Sequence, residues 1–140
     1  MKPVFVTLLL FSLLSGFSVR AEADVCQPEE GKLIAELKSD RYRIAVSSLS
    51  GSVRVGKPFS VTAVVCDQKG APADVNFRMD AWMPQHNHGM NYRPAVTRKS
   101  TGHFLVEGLM MHMPGMWQFT FKIGEGSDLL RLSSDFVLEK

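Results

Sequence analysis

Residues 75–82 read VNFRMDAW. Val75, Phe77, Met79 and Ala81 alternate with Asn76, Arg78, Asp80 and Trp82. Successive side chains of a strand point to opposite faces, so this run predicts a strand with one apolar and one polar face. The same period, or its β-branched equivalent, recurs on both sides: at 42–46 (YRIAV), 59–65 (FSVTAVV), 94–98, 103–109, 117–123 and 129–138. Gly56-Lys57-Pro58, Gly70, Pro72, Pro114-Gly115 and the stretch 124–128 supply turn signals between them. About seven short strands with Gly/Pro turns predict an all-β, immunoglobulin-like antiparallel sandwich. Only 28–37 reads as a short helix, from the spacing of Leu33, Ile34 and Leu37.

The first 23 residues do not belong to that domain. Lys2 is followed by an apolar run over 4–19 and by Ala21-Glu22-Ala23, a small-x-small cleavage pattern. This is the pattern of a secretory signal peptide, too short and without the flanks of a membrane span. Val25 before Cys26 is not the small residue a lipid-attachment signal would want. Cleavage after Ala23 predicts a periplasmic chain, 24–140, with no membrane anchor. Its net charge is near neutral, since the whole chain is +2 and the leader carries Lys2 and Arg20 against Glu22. That field is too weak to suggest nucleic acid as a partner. Residues 24–40 form an N-terminal segment and 41–140 the sandwich domain. In an exported chain the two cysteines, Cys26 and Cys66, are expected to form a disulfide that ties this segment down, with free thiols or a thiolate metal site as alternatives.

The chemistry sits in two loops, 83–93 and 110–116. If the strand 75–82 runs up, 94–98 runs down and 103–109 runs up again, so both loops lie at the same end. That places Met83, His86, His88 and Met90 near Met110, Met111, His112, Met113 and Met116. The same count sends His103 and Cys66 to the opposite end. Seven of the eight methionines fall between Met79 and Met116, and three of the four histidines fall in the two loops. Core filling explains Met79, in phase with Phe77, and one of Met110 or Met111. It does not explain why the other strands lack methionine.

Imidazole suits copper and zinc, and thioether is soft and selects Cu(I). A mixed His/Met set therefore points to copper. The expected ligand pool is His86, His88, Met90, His112 and Met113, with Met83 and Met116 as an outer shell. In an extended segment His86, His88 and Met90 would share one side, with Gly89 bending the backbone so that they converge. Zinc would have to take the three histidines with Asp80. A type 1 electron-transfer site needs a cysteine thiolate, and neither cysteine is at this end. Trp117 is expected in the core and Trp82 on the outside.

These residues resemble the YtkA-like and FixH-like family of small exported domains. The family pattern has a strand ending in Met-Pro-x-His-x-His-Gly-Met, matched by Met83, Pro84, His86, His88, Gly89 and Met90. It continues with Gly-aromatic-x-Val-x-Gly and Met-x-Gly-x-Trp, matched by Gly102, Phe104, Val106, Gly108, Met113, Gly115 and Trp117. The resemblance covers residues 41–138, though its specific part is the two loops. It implies an immunoglobulin-like sandwich outside the cytoplasm with a copper role. FixH-type members often carry a membrane anchor, from which a cleaved leader departs. The expected function is thus a periplasmic copper-binding protein, Cu(I) or Cu(II), acting in delivery, storage or resistance, with a copper-donating or copper-accepting protein as partner. The alternative is a metal-free interaction module with a Met-rich contact surface. No hydrolytic triad or dyad is placed by the topology, so an enzyme is not expected.

Overall fold

The computed structural model describes residues 26–140, and the predicted leader lies outside them. Among the described residues nine strands form two antiparallel sheets. In chain order they are β1 (Lys32–Lys38), β2 (Tyr42–Ser48), β3 (Phe59–Asp67), β4 (Phe77–Met83), β5 (His88–Gly89), β6 (Ala95–Ser100), β7 (His103–Leu109), β8 (Gly115–Ile123) and β9 (Leu130–Leu138). One sheet runs β1-β2-β3-β7-β6 and the other β5-β4-β8-β9. Among the described residues no helix is long and apolar enough to cross a membrane.

The seven predicted strands are all present, and the two additions have physical causes. The first is β1, where a helix was expected. Leu33, Ile34 and Leu37 fit helical spacing, but the free edge of β2 offers a full row of hydrogen-bond partners. The chain pairs with it from Lys32↔Ser48 to Lys38↔Arg43. A bulge between Leu33 and Ala35 breaks the alternation that would have marked a strand in the sequence. The second is the two-residue β5, which turns the expected loop 83–93 into a tight hairpin on β4.

The inner faces carry the period-two pattern into the core. Met79, Phe77, Ala81 and Met83 from β4 meet Trp117, Phe119, Phe121 and Ile123 from β8 on one side. Ile44, Val46, Val61, Ala63, Val65, Phe104 and Val106 face them from the other sheet. Phe77 and Phe104 stack across the interface with centroids 5.0 Å apart. A second, smaller cluster lies on the outside: Cys26 and Cys66 are joined by a disulfide and packed with Val64. Val64 and Cys66 have the outward parity of β3, so the N-terminal segment is stapled to the outer face of its sheet.

Candidate metal centre

The strand count correctly places the loops together. β3 pairs antiparallel with β7, Phe59 facing Leu109 at one end and Val64 facing His103 near the other. His103 therefore starts β7 beside Cys66, about 20 Å of strand from Leu109. The 110–116 loop leaves from the far end. There Met90 Sδ accepts the Met110 N–H at 3.4 Å, which joins the two loops directly.

The hairpin geometry differs from the extended segment expected. Pro84–His86 is a single 3-10 turn, and Asn87 ends it in the left-handed conformation (φ 53°, ψ 42°). Asn tolerates this conformation better than most residues. The reversal that brings His88 back beside Met83 is made by Asn87, not by Gly89, whose residue instead pairs with Trp82. Gly89 matters for a different reason. A Cβ there would come 3.3 Å from the Ala81 carbonyl oxygen and 3.5 Å from the Trp82 ring, so the glycine lets the hairpin lie flat under the indole.

The three imidazoles form a chain rather than a ring. His86 and His88 have centroids 5.9 Å apart, and His88 stacks on His112 at 5.0 Å with 29° between planes. Trp117, fully buried, presents itself edge-on to both, at 6.0 Å from His88 and 5.6 Å from His112. Its Nε1–H donates to the Met113 carbonyl at 2.9 Å. One indole thus sets the position of two histidines and of the Met113 backbone. Sequence parity identified Trp117 as core but could not show these contacts.

The donor atoms fit a metal in two respects. His88 Nδ1 lies 3.1 Å from the Gly89 carbonyl oxygen. A carbonyl only accepts, so Nδ1 carries the proton and Nε2 is left with its lone pair; a hydrogen bond from the second nitrogen is the usual support of a ligating histidine. His112 Nδ1 is buried and has no hydrogen-bond partner among the described residues. An unpaired buried nitrogen costs about 1–3 kcal/mol, and a metal ion is one way to satisfy it. Among the described residues no group of three or more His, Cys, Asp or Glu side chains is close enough to hold a metal by itself. Asp80 stands on the outer face of β4, its Oδ1 accepting the Ala81 N–H, and does not join the histidines as a zinc fourth ligand would require. A site here needs thioether sulfur.

The methionines divide accordingly. Met90 and Met113 are half-buried against the core. Met116 is exposed on the outer face of β8, opposite Val137. Met111 is the core residue of the 110–111 pair. Met83, expected in the outer shell, has inward parity on β4 and is buried to 1% exposure, with its Cε against Gly115. His86 is exposed, with its ring beside that of His88.

No protein-family model and no curated protein matches this sequence. Solved structures do. FetP of uropathogenic E. coli strain F11, in the "as isolated" form expressed recombinantly in the periplasm of E. coli BL21(DE3), superposes with a TM-score of 0.52 at 11% identity, over 79% of this chain and 97% of FetP. A copper-bound variant of FetP superposes with a TM-score of 0.51 at 8% identity, over 76% of this chain and 96% of the variant. At that identity the likeness establishes the fold, a two-sheet β-sandwich of the same kind.

Proposed function

We propose that this chain is a periplasmic copper-binding protein whose site is built from His88 and His112 with thioether sulfur from Met90 and Met113, His86 capping it from the exposed side. The observation that carries this reading is the His88–His112 stack, 5.0 Å across two separate loops, with one nitrogen of His112 buried and unpartnered. Nitrogen and thioether donors together favour copper over zinc or the hard cations. The copper-bound state of the FetP variant, and the periplasmic expression of FetP, support the same assignment. Bound copper would supply a soft, exchangeable cation, and the protein's own contribution is to hold the two imidazoles and two sulfurs in place through Trp117. Delivery, storage and resistance all follow from such a site.

Copper titration of the secreted form against a competing chelator tests this. The His88→Ala/His112→Ala variant should bind at least about tenfold more weakly, the equivalent of one lost interaction of 1.4 kcal/mol, and His103→Ala should bind as the parent does. Equal affinity in the parent and the double variant overturns the reading.

The metal-free reading draws on one observation. Trp82, Met116 and Val137 are all exposed on the outer face of the β4-β8-β9 sheet beside the loops. A protein partner that binds this face equally well with a strong chelator present and in His88→Ala/His112→Ala would favour it.

A further inference from the structure

A second feature lies where the two sheets part, and it contains none of the candidate ligands. β6 is the outer strand of its sheet, and β5 covers β4 only at Trp82 and Met83, so most of β4 is also an open edge. Between these edges is a cleft of about 690 Å³, within the range of small-molecule sites. Four cations line it, Arg78, Arg93, Arg98 and Lys122, with two lining carboxylates, Asp80 and Glu125, and a third, Asp74, paired with Arg98 from outside the lining.

The cations are arranged on two walls. Arg78 and Lys122 stand directly opposite each other in the β4–β8 register. Like charges so placed repel and weaken a sheet. The next pair on that face is Asp80↔Thr120, and Asp80 accepts its own strand's Ala81 N–H. On the facing wall, Arg98 is held by the Asp74 carboxylate and the Val75 carbonyl, with its guanidinium carbon 5.4 Å from the centre of the Phe104 ring. A guanidinium already fixed loses little freedom when it takes an anion.

We propose that this cleft binds a small polyanion carrying at least two carboxylate or phosphate groups, one held by Arg78 and Lys122 and the other by Arg93 and Arg98. Such an ion relieves the Arg78–Lys122 repulsion and bridges the two walls, which a monoanion does not. The site is independent of copper.

Isothermal titration at fixed ionic strength tests this on the purified protein, with citrate and pyrophosphate as probes and acetate as the monoanion. Saturable binding of one citrate or pyrophosphate is expected, with acetate far weaker; the tighter probe distinguishes carboxylate from phosphate as the natural group. Arg78→Ala/Lys122→Ala should weaken it about tenfold or more, as loss of charge-assisted hydrogen bonds does. Arg41→Ala/Lys38→Ala removes the same charge from the β1–β2 turn, outside the cleft, and should not. Because the first variant removes a repulsion, its thermal midpoint without anion should equal or exceed the parent's. His88→Ala/His112→Ala should bind the probes unchanged. Absence of saturation with both probes, equal weakening in the two charge variants, or loss in the histidine variant each overturns the proposal.

Discussion

The two ends of the sandwich are built on opposite principles. At the Cys66 end the chain pairs its backbone and locks it covalently. The Val65 N–H donates to the Gly102 carbonyl, the Ala73 N–H to the Val65 carbonyl and the Asp67 N–H to the Ala71 carbonyl, all within 2.9 Å. Gly102, at φ +70°, is wedged so closely that a Cβ would stand 2.5 Å from the Val65 oxygen. The Cys26–Cys66 disulfide covers this end from outside. At the other end backbone bonds also hold each loop, from the Gly56 N–H to the Met111 carbonyl and from the Met90 N–H to the Ala81 carbonyl, but the two loops meet each other through side chains: an N–H on a sulfur and two stacked imidazoles, with an indole on a carbonyl beside them. Sulfur is a weak acceptor, and one imidazole nitrogen has no partner among the described residues. One end has satisfied its polar groups internally; the other keeps donors in reserve. That difference is why the proposed copper site is placed at the loop end.

Removing the staple gives the largest expected effect. Cys26 and Cys66 are 40 residues apart, and the chain-entropy relation assigns a loop of that length about 4 kcal/mol. Cys26→Ala/Cys66→Ala should lose about that much in denaturant unfolding while binding copper as the parent does. A comparable loss of copper affinity would break the independence of the two ends. Gly102→Ala comes next. A left-handed backbone costs a non-glycine residue about 1–2 kcal/mol before any clash is counted, and the clash with the Val65 carbonyl adds to it. Thermal unfolding measures the loss, and a near-neutral result would mean that this end gives way more easily than its backbone pairing implies.

Smaller effects sharpen the loop end. Met83→Leu conserves volume in the core and should cost under about 1.5 kcal/mol, with copper affinity unchanged in a chelator competition. A large loss of affinity would return Met83 to the ligand shell. Smallest of all is His103→Ala, expected within about 0.5 kcal/mol in stability and neutral towards copper. Any loss of copper binding there would contradict the strand directions themselves.

Much of this was legible in order. The alternation of Val75, Phe77, Met79 and Ala81, repeated at Trp117, Phe119, Phe121 and Ile123, is a local property, because strand parity follows from backbone geometry alone. An even number of intervening strands then put the two loops at one end without any knowledge of strand length. The edge strand β1 was not legible, since a bulge hid its period and its partner, the free edge of β2, is supplied by the fold.

The limits are clearest at the loops. Composition alone determined the kinds of donor present, imidazole and thioether, and strand count determined that they share an end. Tertiary structure decided which of them meet. A single left-handed residue, Asn87, turns His88 back over β4; inward parity withdraws Met83 into the core; and the Trp117 indole aligns His88 with His112. The parity of Met83 continues the alternation of β4 and needed only the strand's true end at residue 83; the Asn87 reversal depends on one backbone torsion and the Trp117 contacts on a close approach between segments distant in sequence, and neither is encoded in the pattern of apolar and polar residues.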